Sequence, residues 1–173
     1  DDFGLEVFDG AKDGLKDIKM EFAEVTTFKR GATDFSAQVA KMKGANCDTV
    51  VLGTIIRETI GTIGTAKKMG WNPQFIGSSA AYTDLIHKLG GPAMDGLYAM
   101  HQVGVPYGDD PSKNVRDWFA AYKAKFGEDA GLFSAYGYVA MDMFMQTAKK
   151  AGPKLTTETF IDTLESTTFA RDM

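Results

Sequence analysis

Leu5, Phe8, Ala11, Leu15 and Ile18 recur three and four residues apart, with Lys12, Asp13, Lys16 and Asp17 between them. One apolar face per 3.6 residues predicts an amphipathic helix over about 5–18. Glu21–Phe28 mixes Phe22, Val25 and Phe28 with polar residues and reads as a short strand. Arg30-Gly31-Ala32-Thr33 is a turn. Asp34 is a plausible N-cap for a helix that points Phe35, Val39 and Met42 inward and ends at Gly44. Thr49–Gly53 is apolar without alternation, the pattern of a strand buried on both faces in a parallel sheet. A helix over 57–69 follows. It is expected to bury Ile56, Ile60, Ile63 and Ala66, with Gly61 and Gly64 as packing positions and Gly70 as its close. Gln74–Gly77 reads as the next strand, 82–89 as a helix stopped by Gly90-Gly91-Pro92, and Gly96–Val105 as another strand. Strands and helices that alternate through short connections predict a doubly wound parallel α/β sheet.

The alternation stops after Pro106. Asp110 and Pro111 form a cap and first-turn pair for a helix over 112–126, expected to bury Val115, Trp118, Phe119, Tyr122 and Phe126. A helix over 134–151 carries Tyr138, Met141, Phe144 and Met145 toward a core. Leu155, Thr156 and Phe160 fit a hydrophobic staple around a Thr N-cap, opening a helix with Ile161 and Leu164. Three consecutive helices with no strand between them place a lobe boundary near 103–106.

Composition narrows the function more than the fold. The chain has 173 residues, with 19 basic and 23 acidic side chains and a net charge of −4. Such a chain lacks the concentrated basic surface that nucleic acid requires. Cys47 is the single cysteine, so neither an internal disulfide nor a multi-cysteine zinc site is available. His87 and His101 lie in different elements with no further ligand beside them, and Asp109-Asp110 is explained by a solvated turn and a helix cap. No glycine-rich phosphate loop and no G-x-S-x-G elbow occurs. No catalytic residue, metal or cofactor is implied, and an enzyme is not expected. Asp1-Asp2-Phe3-Gly4 carries no leader and Thr167–Met173 no terminating signal, so the chain reads as an internal piece of something longer.

Open α/β sheets bind ligands beyond the carboxyl ends of their strands. Thr54 and Ile55 follow one such end, Ser78 and Ser79 another, and Phe3 lies where a preceding strand would end. Hydroxyls, backbone N–H groups and apolar side chains at one crevice suit holding a small molecule rather than transforming it.

The segments Asp2-Phe3-Gly4, Arg30-Gly31-Ala32-Thr33-Asp34-Phe35-Ser36, Gln38-Val39-Ala40-Lys41-Met42-Lys43, Ala66-Lys67-Lys68-Met69-Gly70-Trp71 and Tyr136-Gly137-Tyr138-Val139-Ala140 together resemble one family. It is that of the type I periplasmic binding proteins of branched-chain amino-acid (Leu/Ile/Val-binding-like) ABC transporters. The resemblance implies two Rossmann-like α/β lobes that close on a solute and deliver it to an ABC permease. It makes residues 1–103 most of the second lobe without its first strand, and 104–173 the late helical part of the first lobe. The missing N-terminal half would be supplied by the same protein or by another copy. By the same comparison, Phe3 covers the ligand side chain, Ile55 takes a commonly aromatic position, and Phe133 matches an apolar lid position. Ser79 stands where amino-acid binders place a carboxylate against the ligand ammonium. An ammonium buried without such a partner is costly, so a carboxylic acid or a small amide competes with an amino acid as ligand. Thr54, Ser78 and Ser79 could hold it, with Arg57 nearby at a helix start. A periplasmic or lipid-anchored extracellular location follows from the resemblance. The alternative is the ligand-sensing domain of a receptor or regulator.

Overall fold

Three short strands carry the first half of the chain: β1 (Thr49–Leu52), β2 (Gln74–Gly77) and β3 (Leu97–Ala99). They pair in the order β1-β2-β3, all parallel, with Val50 opposite Phe75 and Phe75 opposite Leu97. This computed structural model describes residues 2–169. The chain divides into two compact units, Asp1–Gln102 and Val103–Met173.

In the first unit the helices are α1 (Asp2–Asp17) and α2 (Ser36–Gly44) before β1, α3 (Ile56–Lys68) between β1 and β2, and α4 (Leu85–Gly90) between β2 and β3, with 3-10 turns at Ser79–Ala81 and Gly91–Met94. Phe35, Val39, Val50, Ile63, Ala66 and Phe75 form the centre of its core. The helix expected to open at Asp34 begins at Ser36, and the Asp34 carboxylate accepts the Ser36 N–H at 2.9 Å. Hydrogen bonds from Ser36, side chain first and backbone second, hold the Asp34 carboxyl below the ordinary carboxylate range. Gly44 is the last helical residue, and Asn46 takes the left-handed conformation (φ 55°) instead.

Several expectations are corrected in this unit. Glu21–Phe28 forms no strand. It runs without ladder bonds and is held by ring contacts, Phe22 on Phe8 and Phe28 on Phe35, each with centroids 5.5 Å apart. β1 is not buried on both faces. It alternates, with Val50 and Leu52 buried and Val51 39% exposed, because the core packs against one side of it. In α3 the buried stripe is rotated: Glu58, Thr59, Thr62, Ile63 and Ala66 are buried, and Ile56 and Ile60 only partly. Threonine methyl groups serve as apolar surface there. Gly61 is a packing position, since a Cβ would stand 2.6 Å from Cε2 of Phe35, but Gly64 has nothing within 4 Å. The later elements are also shorter than expected. The helix expected over 82–89 starts at Leu85, after the 3-10 turn, and β3 covers three residues rather than ten.

The second unit is helical: α5 (Lys113–Phe126), α6 (Leu132–Ala151) and α7 (Thr157–Glu165). Asp110 accepts the N–H of Ser112 at 2.8 Å, and Ser112, rather than Asp110, is the N-cap of α5. Thr156 caps α7 as expected, in a reciprocal pair with Thr159. The apolar faces are less buried than their periodicity implies. Val115 alone is buried in α5, and Phe126 is 57% exposed. Tyr138, Met141, Phe144 and Met145 of α6 are 44–59% exposed. Rings instead lean on one another, Trp118 on Tyr138 at 5.2 Å and Phe144 on Phe160 at 5.0 Å. A helical stripe needs a facing layer to bury it, and this unit contains no sheet among its described residues.

Candidate binding site

The carboxyl end of β1 passes directly into α3 through Gly53, Thr54 and Ile55. Gly53 stands close to α1, where a Cβ would lie 3.2 Å from the carbonyl of Gly4 and 3.3 Å from Cβ of Val7. The strand end and the first turn of α1 therefore meet nearly backbone to backbone. Ile55 is the N-cap of α3 in an extended conformation. This brings Phe3, Gly53, Thr54 and Ile55 around one small cleft of about 20 Å³, with Phe28, Arg30 and Glu58 completing it.

The hydroxyls at the strand ends are bonded to each other's elements. Thr54 Oγ1 lies 2.6 Å from Thr59 Oγ1, and Ser78 Oγ donates to the Thr54 carbonyl at 2.8 Å. The Ser78 N–H donates to the Leu52 carbonyl at 3.2 Å. Thr54, Thr59 and Ser78 are all buried. They lock the ends of β1 and β2 to the start of α3, and so hold the cleft's shape.

The other residues singled out by sequence fall elsewhere. Ser79 opens the 3-10 turn after β2, half-buried, and does not line the cleft. Phe133 belongs to the second unit, near the start of α6, where it is 57% exposed and faces Tyr136 with ring centroids 6.5 Å apart. The Arg57 side chain is exposed, with Nη2 at 3.4 Å from Glu58 Oε1. Glu58 was not legible as a site residue. A glutamate in the first turn of a helix ordinarily faces solvent, and only the rotated stripe of α3 turns it inward. Thr59 and Thr62, at threefold and fourfold spacing with Ile63 and Ala66, are the signal that could have found it.

A larger apolar groove of about 300 Å³ runs between α1, the 22–28 segment and β1, with Phe8, Phe22, Val25, Met42 and Val51 in its lining. It follows β1 from Thr49 to Leu52 and reaches its carboxyl end, where Gly53 and Thr54, with Phe28 and Arg30, also line the small cleft. Among the described residues, no three His, Cys, Asp or Glu side chains are grouped to hold a metal ion.

A small cleft at the carboxyl end of a parallel strand, braced by hydroxyls and faced by an aromatic ring, is a ligand-holding arrangement of open α/β sheets. A family model described as periplasmic binding protein matches residues 1–173. The chain belongs to the periplasmic binding protein family. It is 28% identical over 154 residues to Leu/Ile/Val-binding protein homolog 1 of Brucella suis, an alignment covering 87% of this chain and 39% of that protein. Among solved structures, it is similar to the fatty acid ABC transporter substrate-binding protein from Thermomonospora curvata. There the TM-score is 0.80 and the identity 22%, over 96% of this chain and 43% of that one. It is also similar to a branched chain amino acid ABC transporter from Thermus thermophilus with bound valine. That match has a TM-score of 0.75 and 16% identity, over 88% of this chain and 41% of that one. At these identities the solved structures establish the fold, that of the type I periplasmic binding proteins. The chain spans about two fifths of the length of the curated relative it matches.

Proposed function

We propose that the chain is part of the solute-binding component of an ABC importer, periplasmic or lipid-anchored on the outer face of the cell. It binds a small metabolite between two lobes and presents it to a permease. Residues 1–103 belong to the second lobe and 104–173 to the late helices of the first. Ligand docks on one lobe, and closure of the other shifts an open–closed equilibrium that the permease reads. The solute is a branched-chain amino acid or, because Ser79 brings no carboxylate, a carboxylic acid or small amide. Phe3 and Ile55 cover its apolar part, and Phe133 takes an apolar lid position. Binding and release leave the solute chemically unchanged. The exposed apolar faces of α5 and α6 are covered by further protein, either more of the relatives' length or another copy of the chain.

The observation that carries this reading is the cleft where Phe3, Thr54 and Ile55 meet at the end of β1, in a chain matched along its length by the family. The relatives are named for branched-chain amino acids and for a fatty acid, and for this reason the test uses a panel. Thermal denaturation of the full-length protein is followed with branched-chain amino acids, short carboxylic acids, their amides and fatty acids. At a ligand concentration of roughly 100 Kd, binding stabilises by about 2.7 kcal/mol, a rise of several degrees in Tm. At least one class should produce that rise, and Phe3→Ala should reduce it. No rise with any class, or recovery of a chemically altered solute, contradicts the reading.

A further inference from the structure

We propose that Glu58 is the anionic anchor of the cleft and that it selects a solute bearing a primary ammonium group. The inference rests on the solute-binding reading and specifies its ligand class. Glu58 sits in the first turn of α3 and is 2% exposed. Its Oε1 has one weak neighbour, Nη2 of the exposed Arg57, at 3.4 Å. Its Oε2 has no hydrogen-bond partner, the one such buried side-chain nitrogen or oxygen among the described residues. A buried carboxyl oxygen left without a donor costs its full desolvation penalty. Protein interiors rarely leave one unless something else supplies the donor.

The nearby hydroxyls of Thr54 and Thr59 are bonded to each other, and neither is a partner of Oε2. The positive end of α3 favours a carboxylate in its first turn, which accounts for charge at this position but not for an oxygen left bare. Glu58 lines the same cleft as Phe3, Thr54 and Ile55. The cleft's volume of about 20 Å³ exceeds the ~10–15 Å³ needed for one water-sized group, which is room for a single –NH3+ beside Glu58. Ser79, half-buried in the 3-10 turn after β2, lies outside the cleft and brings no charge to it. Glu58 supplies from α3 the charge that Ser79 does not supply from the end of β2.

The test compares solutes that differ only in the amine, L-leucine against 4-methylpentanoate and L-phenylalanine against 3-phenylpropanoate, by calorimetry on the full-length protein. A charge-assisted hydrogen bond to Glu58 predicts that the amino acid of at least one pair binds at least about tenfold more tightly than its acid. Glu58→Gln should bring that ratio to near one. In wild-type protein with 13C-labelled glutamate, the Glu58 carboxyl resonance should move with the amino acid and not with the acid, a reading that holds even where the variant folds poorly. Acids that bind as tightly as the amines, or a preference unchanged in Glu58→Gln, overturn the role of Glu58 and leave the solute-binding reading standing. A lowered Tm in Glu58→Gln with the amine preference intact likewise makes Glu58 structural and overturns the inference. Binding of none of these compounds, nor of any in the wider panel, overturns both.

Discussion

Thr54 joins three stretches of backbone with one hydroxyl and one carbonyl. The hydroxyl meets Thr59 in α3 and the carbonyl accepts from Ser78 after β2. Thr54→Val keeps the shape but leaves Thr59 Oγ1, in a fully buried residue, without its partner. The expected loss is about 1–3 kcal/mol in urea denaturation, with much of it recovered in the double variant Thr54→Val/Thr59→Val, where neither hydroxyl remains. Additive losses in the double variant would show that the pair is not coupled. At this scale, legibility follows chain position. Thr54, Ile55 and Phe3 could be picked out because strand ends are where parallel sheets hold ligands, and those three residues line one cleft. Glu58 could not, since its burial depends on the rotation of α3 against Phe35 and the sheet, which no local pattern encodes.

Gly61 fixes that rotation. Its missing side chain lets the Phe35 ring of α2's N-terminal turn lie against α3, and a Cβ would intrude to 2.6 Å. Gly61→Ala is expected to cost about 1–3 kcal/mol through overpacking. Gly64→Ala, three residues on in open space, should stabilise by about 0.5–1 kcal/mol, since alanine is the better helix former. Equal effects of the two in chemical denaturation would contradict the packing described here. Helices were legible wherever the apolar period was strong, as in α1 and α3. The 21–28 segment was not, because alternation shows a residue's suitability for a strand but not the presence of a strand beside it. β1 has such a neighbour on one edge, and the 21–28 segment forms no ladder on either.

For the molecule as a whole, the family is more legible than any single motif, because order and spacing are kept along the full 173 residues. The helical second unit shows the limit. Its sequence announces apolar faces on α5 and α6, and those faces are present, yet Met141, Phe144 and Met145 remain 46–59% exposed. Periodicity identifies the face that needs a partner without supplying the partner. We propose that this protein grips a metabolite and releases it unchanged. Native mass spectrometry of the gently purified full-length protein tests it most directly, read before and after denaturation. The expected result is a discrete adduct of one small molecule per binding unit, freed intact and identical in mass to the compound supplied. A protein that carries no adduct from any compound offered, or that returns a molecule of altered mass, would contradict it.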